Sequence, residues 1–453
     1  MSTTTPVSED AAAADAAPLP LAGIRVVDLT MVWAGPYGTK LLADLGAEVI
    51  KIEGPARTDL TRILTIPANR DFDRPFDASR YFNEYNRNKL GMAVDVQQPA
   101  GRAIIRELAA VSDVLIENFR PGVIKRLGFG YDELKALNPR LIVVSLPGFS
   151  SYPPEASIPA YGPNIEQMGG LAYLNGYQGG PPHKSGISYG DPLAGLGGAA
   201  AVLLALLQRE RTGVGQYVEV SQRNLLLGMI GDALVAHQIG SPPARNGNRS
   251  PAYAPQGVYP AALARNATES ASARGSTGTG GSPGPGGSEP PVPGWLAVSV
   301  VTDDQWRALC QTMARDDLAA DEQLATVVGR MREHDRLDEA IAGWTCGRTA
   351  DDAARRLQAA GVPAAPVRAP ADLPGDANLV ARDFFRTLPH PEYGEIRITA
   401  PVWRFDGHRL GVRTAPKFGE HNREVLAQVL GYPADTIDAL ERDGVLADRP
   451  RQS

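Results

Sequence analysis

The sequence lacks the residue patterns of several common functional classes. Its 453 residues include only two cysteines, Cys310 and Cys346, and no CxxC pair, so neither a disulfide framework nor a zinc site is predicted. The six histidines are scattered without an HExxH motif, and we expect no metal. Acidic residues outnumber basic ones, and the net charge of -6 argues against a nucleic-acid-binding protein.

Signals for export or membrane insertion are also missing. The first twenty residues have neither a basic start nor an apolar core, so they do not resemble a signal peptide, and residues 1–18 are expected to be a disordered tail. The apolar run Leu193–Leu207 is shorter than the roughly 20 residues of a spanning helix, so we predict a buried helix. We therefore expect a soluble, cytoplasmic protein without membrane contact.

What the sequence does contain is an alternation of apolar strands and amphipathic helices. Strands are predicted at residues 24–30, 47–53, 113–118 and 141–146, and helices at 39–46, 101–111 and 131–137. Such alternation favours a parallel sheet, so we predict a doubly wound α/β domain over residues 19–225. Residues 226–294 are predicted to be a linker whose low-complexity part, 266–294, is disordered, and residues 295–394 to be a smaller α/β domain.

One acidic residue stands out by its position. Asp191, in the motif ISYGDPLAG, lies between Gly190 and Pro192 at the start of the predicted apolar helix. Aspartate is a favoured N-cap and proline a favoured first helical residue, so Asp191 alone is explained by a capping role. A carboxylate flanked by glycines is also open to a large electrophile and can act as a covalent nucleophile. The residues leave both interpretations open.

Two other segments are candidates for ligand binding. The loop DLTMVWAGPYG, residues 28–38, joins a strand to a helix and is compatible with a phosphate site, a dinucleotide site or a plain structural turn. Cationic residues occur in NRNK (86–89) and in ENFRPGVIKRLGF (117–129), where they form either solvated surface or a binding edge. The second segment follows a buried strand, and the carboxyl ends of parallel strands are where such sheets bind ligands.

These motifs, taken in order, resemble family III CoA transferases of the CaiB/BaiF type. The matching stretches are LAGIRVVDLT, AGPYGTKLLADLGAEVIKIE, NRNK, DVLIENFRPGVIKRLGFGYDEL, NPRLIVVSLPGF, GDPLAG and RTGVGQYVEVS. The resemblance is dense over residues 19–260 and looser over 295–430. It implies an enzyme that moves CoA from an acyl-CoA to another carboxylic acid, with CoA and acyl-CoA as substrates and no tightly bound cofactor.

The resemblance also implies roles for individual residues. Asp191 is expected to form an acyl anhydride and then an aspartyl-CoA thioester. The remaining expectations concern CoA binding and are Val32 and Ala34 at the CoA site, Lys89 and Arg126 at its phosphates, and Asn118, Phe119 and Leu127 beside its nucleotide or pantetheine. Trp33 stands where formyl-CoA transferase has a glutamine, so we expect an apolar substrate wall that makes formate and oxalate poor substrates.

The fold implied by the resemblance is a Rossmann-like large domain built from both chain ends, completed by about residues 395–453, with a smaller inserted domain. Two such chains form an interlocked, ring-like homodimer. An α-methylacyl-CoA racemase on the same fold is an alternative, but it needs a histidine within residues 157–167, where Tyr161 and Gly162 stand instead. A non-catalytic CoA- or dinucleotide-binding protein is the alternative from another class. The acids exchanged are not specified, although succinyl-CoA is our candidate donor.

Overall fold

The chain folds into two compact units in a computed structural model that describes residues 18–67, 71–152, 154–262, 294–406 and 410–451. The first unit takes in the described residues up to Ala172, the segment Lys184–Pro242 and the described residues from Ala377 onwards. The second unit takes in Tyr173–His183 and the described residues of Pro243–Asp376.

The secondary structure alternates as predicted in the first half of the chain. The strands are β1 (Arg25–Asp28), β2 (Glu48–Glu53), β3 (Leu90–Ala93), β4 (Val114–Glu117), β5 (Ile142–Ser145), β6 (Tyr217–Glu219), β7 (Gln256–Ala261), β8 (Gly294–Ser299), β9 (Ala364–Pro366), β10 (Phe385–His390) and β11 (Gly394–Thr399). The helices are α1 (Ala34–Asp44), α2 (Thr61–Leu64), α3 (Arg80–Tyr85), α4 (Pro99–Ala110), α5 (Val123–Arg126), α6 (Tyr131–Leu137), α7 (Gly162–Met168), α8 (Leu171–Leu174), α9 (Gly190–Thr212), α10 (Gln222–Met229), α11 (Gly231–Gln238), α12 (Asp303–Met313), α13 (Asp316–Ala319), α14 (Val327–Arg332), α15 (His334–Thr345), α16 (Ala350–Ala359), α17 (Ala377–Ala381), α18 (Asn422–Gln428) and α19 (Ala434–Arg442).

A six-stranded parallel sheet organises the first unit. Its strand order is β3-β2-β1-β4-β5-β6, and every neighbouring pair is parallel. The chain runs outward from β1 to β3 and then crosses back to β4 beside β1. At this reversal the loops after β1 and β4 turn in opposite directions and leave a crevice at the carboxyl edge of the sheet. The predicted α/β class is thus confirmed, and its topology identifies one edge as the place for a ligand.

Apolar side chains cover both faces of this sheet. Because successive residues of a strand point to opposite faces, Val26 and Val27 of β1 belong to two different cores. On the side of Val26, the sheet packs against α1 and α9. On the side of Val27, it packs against α4, α6 and the C-terminal helices α18 and α19. The near-continuous Val/Ile/Leu content of the strands follows from this double burial.

Helix α9 is the predicted apolar helix, now extended to Gly190–Thr212. It is long and apolar enough to pass a test for membrane spans, yet half of its most apolar stretch is buried inside the protein. Its partner is α1, which begins at Ala34, earlier than the predicted residue 39. The two helices cross closely, since a Cβ atom on Gly38 would lie 2.6 Å from the Gly195 carbonyl oxygen.

The C-terminal segment forms hydrogen bonds with β3 of the parallel sheet. The Gly91 amide of β3 donates to His421 Nδ1 at 3.0 Å, and the Ala93 amide donates to Asn422 Oδ1 at 2.8 Å. The first unit resumes at Ala377, before the predicted residue 395, and the antiparallel β10–β11 hairpin belongs to it.

The second unit has its own sheet and core. Strands β7, β8 and β9 form an antiparallel sheet that packs with helices α12, α13, α15 and α16 around Leu296, Trp306 and Leu337. The linker prediction for residues 226–294 was wrong in part, because this segment contains α11 and β7, and Gly294 opens β8. The predicted disorder of residues 266–293 and 1–17 concerns positions outside the described ranges.

Candidate active site

The crevice at the carboxyl edge of the sheet is a pocket of about 340 Å³. Four segments contribute most of its polar groups and walls. They are Met31, Val32 and Trp33 after β1, Asn118, Phe119 and Arg120 after β4, and Gly162, Ile165 and Asp191 from the starts of α7 and α9. The pocket therefore brings together residues that are far apart in sequence at the point where the strand order reverses.

Asp191 lies in the first turn of α9 with its carboxylate in this pocket. It is not the N-cap, which is Tyr189, and α9 has no side-chain cap at all. Within the described residues, no donor and no cation pairs with the Asp191 carboxylate. Burial without such compensation raises the pKa of Asp191 to about 6. The capping explanation is thus wrong, and the carboxylate is left free to react.

An aromatic cluster forms one wall near Asp191. The Trp33 ring lies 5.9 Å from the Tyr81 ring and 5.6 Å from the Tyr85 ring, measured between centroids. Burial, with the charges of Glu84 and Asp191 adding to it, raises the pKa of Tyr85 to about 12, and burial likewise raises the pKa of Tyr81. Both phenols stay protonated at neutral pH, so the cluster is uncharged, and Trp33 and Tyr81 are its members that line the pocket.

The loop after β4 presents the residues expected to contact CoA. Asn118 and Phe119 line the pocket, but the Asn118 side-chain amide is already bonded to Met31, accepting from its N–H and donating to its carbonyl, both at 2.8 Å. Arg126 ends α5 and is exposed, without an ion pair to any described residue. Leu127 packs instead against the sheet core and does not line the pocket.

Lys89 is not where a phosphate can reach it. Its ammonium donates to Asp28 Oδ2 at 3.0 Å, and the side chains of both residues are 0% exposed. Further bonds to Thr39 and Asn86 complete its donors. Burial lowers the pKa of Lys89 to about 8, against the effect of the Asp28 charge. The phosphate role expected for Lys89 is not supported, because its ammonium is buried and already hydrogen-bonded to Asp28, Thr39 and Asn86.

The other residues of the NRNK segment are also buried inside the fold. Arg87 is buried and pairs with Asp44, to which Asn88 also donates. Neither the surface interpretation nor the binding interpretation of this segment was right. It fastens α1 and β1 to the C-terminal segment, since the Asn88 backbone amide also donates to the carbonyl of Arg413.

The remaining predicted residues take different positions. Val32 lines the pocket, whereas Ala34 is buried at the start of α1 against α9, where a Cβ on Gly195 would lie 2.6 Å from the Ala34 carbonyl oxygen. Trp33 also lines the pocket, and its indole Nε1 is buried with no hydrogen-bond partner in the described structure.

A larger cavity of about 760 Å³ lies elsewhere in the first unit, around Arg382, Trp403 and Arg404. None of the predicted site residues is among the described residues that line it. No group of three or more His, Cys, Asp or Glu side chains suited to a metal ion occurs in the described ranges. We therefore place the chemistry at the smaller pocket.

Sequence reasoning missed several residues that shape this pocket. Tyr81 belongs to none of the motifs, and Gly162 entered the sequence analysis only because the racemase alternative requires a histidine in that segment. Asp59 accepts a hydrogen bond from the Val32 amide. Glu166 is fully buried and accepts a hydrogen bond from the amide of Ser185, in the segment that precedes α9. Neither acid could be recognised as a site residue from the sequence, because its hydrogen-bond partners lie on other elements of the fold.

The sequence matches the model of the family described as CoA-transferase family III over residues 21–266 and 292–422. It is 32% identical to a succinyl-CoA–D-citramalate CoA-transferase of Chloroflexus aurantiacus, over 95% of this chain and 98% of that protein. It is also 32% identical to a formyl-CoA:oxalate CoA-transferase of Streptomyces avermitilis, over 94% of this chain and 99% of that protein.

The fold has a close counterpart among solved structures. A CAIB/BAIF family protein from Brucella suis superposes with a TM-score of 0.77 and 28% sequence identity, covering 91% of this chain and all of that one. The residues matched by the family model include those that line the pocket and most of the second unit.

Proposed function

This chain belongs to CoA-transferase family III, and we propose that Asp191 is the covalent nucleophile with which it moves coenzyme A between carboxylic acids. The enzyme is a CoA transferase, so a donor acyl-CoA and an acceptor acid are its substrates. The observation that carries the proposal is the Asp191 carboxylate, which lies in the pocket, is unpaired, and has a pKa raised to about 6 by burial.

The proposed reaction balances without any added proton carrier. An Asp191 oxygen attacks the thioester carbonyl, and the C–S bond breaks. CoA leaves as a thiolate, and the acyl group stays on Asp191 as a mixed anhydride. The thiolate attacks the Asp191 carbonyl carbon, which releases the donor acid and forms an aspartyl-CoA thioester. The acceptor carboxylate then displaces the thiolate, and the thiolate attacks the acceptor carbonyl, which restores Asp191. Covalent catalysis of this kind divides one difficult transfer into easier steps.

Burial disfavours the charged form of Asp191, yet most of the carboxyl is still ionised at neutral pH. At neutral pH, a group with a pKa of about 6 is mostly charged, while burial removes water that would shield it. The phenols of Tyr81 and Tyr85 remain protonated donors nearby, and we propose that the pocket thus tolerates the negative charge of the second acid.

We propose that the CoA phosphates bind at the loop after β4. Arg120, Lys125 and Arg126 are exposed there and form no ion pair with any described residue. Arginine pairs with phosphate through charge-assisted hydrogen bonds. Val32, Asn118 and Phe119 would then border the thioester arm. Lys89 has no part in this proposal, since Asp28 holds it.

We propose an acyl group larger than formyl, with succinyl-CoA as the first donor to test. The apolar walls of Trp33, Phe149 and Ile165 support a carbon chain in the pocket. A relative at 32% identity is named for succinyl-CoA, and another for formyl-CoA and oxalate. The racemase alternative lacks support from the geometry, since no histidine lines the pocket.

We further propose an interlocked homodimer in the cytoplasm. Apolar side chains of α9 and of the end of α11 face solvent in the single chain, among them Leu204, 66% exposed, and Ile239, which follows α11 and is 76% exposed. Exposed apolar surface of this kind marks interaction sites. Both described cysteines are free, which suits a reducing compartment. Sedimentation at several concentrations tests the dimer.

The decisive experiment traps the activated carboxyl of Asp191. Incubation with succinyl-CoA and hydroxylamine should convert Asp191 to a hydroxamate, detected by mass spectrometry of its peptide, and Asp191→Asn should fold but lose CoA exchange. Asp232→Asn is the matched control, because Asp232 also follows a glycine in the first turn of a helix. An active Asp191→Asn enzyme, or exchange without modification of Asp191, contradicts the proposal. Solvent deuterium entering the α-carbon of the acyl group would instead favour the racemase.

A further inference from the structure

The turn between β1 and α1 has a backbone conformation that its residue disfavours. Val32 has a φ of 69°, in the left-handed region, although it is neither glycine nor asparagine. A β-branched side chain in this region is strained, and such strain persists only where surrounding contacts hold it. Val32 and the next residue, Trp33, both line the pocket that contains Asp191. The strain therefore lies at the proposed site and not in a remote loop.

A buried carboxylate holds the strained residue. Asp59, which is 0% exposed, accepts a hydrogen bond from the Val32 amide at 3.0 Å through Oδ1. The same oxygen accepts from the Thr61 amide and hydroxyl, and this fixes the orientation of the carboxylate. The other oxygen, Oδ2, pairs with Lys51 Nζ at 3.0 Å, again with both side chains fully buried.

The same ion pair also grips the start of the turn. Lys51 donates to the Thr30 carbonyl, so Asp59 and Lys51 together hold the residues on either side of Met31. Met31 itself is held by Asn118 through two hydrogen bonds of 2.8 Å. Three consecutive backbone units are thus clamped by side chains from other segments. Simple closure of a strand–helix connection does not require so many buried bonds.

We propose that Asp59 is a positioning residue of the CoA transfer reaction, which keeps the Val32 turn strained so that the Trp33 ring remains a fixed wall beside Asp191. This inference rests on the proposed function of the pocket. A fixed wall defines how much room an acyl group has next to the nucleophile. The Asp59–Val32 bond therefore contributes to the choice of acid as well as to the rate.

Val32→Gly is the sharpest test, because glycine adopts a positive φ without strain. The variant should fold as well as wild type, or better, but the turn loses the constraint that fixes Trp33. We expect kcat to fall by roughly ten- to a hundredfold, the order that a misplacement of about 1 Å produces at a reacting centre. We also expect the selectivity between two acceptor acids to shrink. The acids are the pair, in the series from oxalate to adipate, that wild type distinguishes most strongly.

Asp59→Asn supplies the second arm, with Asp77→Asn as its control. Asp77 is also buried and paired, to Arg62 at 2.7 Å and Arg74 at 2.6 Å, but it does not touch the turn. Selectivity is measured by competition of both acids in one tube, which cancels any loss of folded enzyme. Asp59→Asn should reduce the selectivity and kcat, whereas Asp77→Asn should leave the selectivity unchanged.

Two results would overturn the inference. One is a folded Val32→Gly enzyme with wild-type kcat and wild-type selectivity, which stands as a test even if Asp59→Asn fails to fold. The other is an Asp59→Asn enzyme that cannot be told from Asp77→Asn. Failure of the proposed function has a different signature, namely an active Asp191→Asn enzyme or the absence of the Asp191 hydroxamate in wild type.

Discussion

A Cβ atom placed on Gly162 would lie 2.0 Å from Oδ2 of Asp191. The carboxylate thus occupies the space that any other side chain at position 162 would fill. The same Cβ would also lie 2.6 Å from the Cβ of Ser188, so a side chain at position 162 would press on the segment before α9 as well as on the carboxylate. Helix α7 therefore helps to set the position of Asp191 by what it lacks.

Gly162→Ala should disable the reaction while the protein stays folded. The added methyl group pushes the Asp191 carboxylate out of its position, and we expect kcat and the rate of hydroxamate formation to drop by roughly a hundredfold. Steady-state kinetics and trapping with hydroxylamine measure this. Gly228→Ala is the control, because its Cβ would meet nothing within 4 Å. A Gly162→Ala enzyme with normal turnover would mean that Asp191 does not react from the position described.

The activity should decline below about pH 6. Burial raises the pKa of Asp191 to about 6, and the nucleophile is protonated below that value. Burial also raises the pKa of Glu117, to about 7, so Glu117→Gln is needed to assign the profile. The acid limb of kcat/KM should persist in Glu117→Gln. Its disappearance there would assign the limb to Glu117.

The same pKa shift predicts a pH-dependent stability difference between wild type and Asp191→Asn. Because the pKa of Asp191 is higher in the folded state than its unfolded value near 4, folding favours the protonated form. The wild-type contribution to stability is full below pH 4 and is lost as the pH rises through 6. Asp191→Asn should therefore be more stable than wild type at pH 7.5, by about 1–3 kcal/mol, and lose this advantage near pH 4. Urea unfolding at both pH values measures the difference; equal differences at both would contradict it.

Arg126 and Lys89 should behave in opposite ways when replaced. Arg126→Ala should raise KM for the acyl-CoA roughly ten- to a hundredfold, the loss of about 1.5–3 kcal/mol expected for a charged hydrogen bond, without a change in stability. Lys89→Met leaves Asp28 buried without its main partner and should lower the free energy of unfolding by about 3–5 kcal/mol. Arg140→Ala and Lys135→Met, which change exposed cations away from the pocket, are the controls. An Arg126→Ala enzyme with an unchanged KM removes Arg126 from the CoA site.

The segment between β7 and β8 should be replaceable by a short linker. Ala261 and Gly294 are paired neighbours at the ends of two antiparallel strands, so the connection has only a hairpin-sized gap to span. Exchanging residues 266–293 for a few Gly and Ser residues should preserve the melting temperature and CoA exchange, since loop length has a small effect on closure entropy. Gly294 is kept because it belongs to β8. A folded but inactive deletion would show that the segment takes part in function.

Local patterns were sufficient where one segment's own residues decide its structure. The runs of Val and Ile marked β1, β2, β4 and β5, and helix α6 was predicted at its observed bounds, because double burial and helical periodicity are visible in short windows. The family resemblance supplied the reaction class and predicted the role of Asp191. Such information does not extend to residues whose role depends on a partner elsewhere in the chain.

Only the tertiary structure decided which distant residues become partners. The sequence by itself determined the alternating α/β elements, the family and the aspartate at the head of the apolar helix. It could not determine that Lys89 is spent on Asp28, that Gly162 makes room for Asp191, or that Asp59 holds Val32 at a positive φ. In each case, the physical reason is the same. Burial, pairing and strain are properties of contacts between distant segments, and they come into being only when the sheet and its helices bring those segments together.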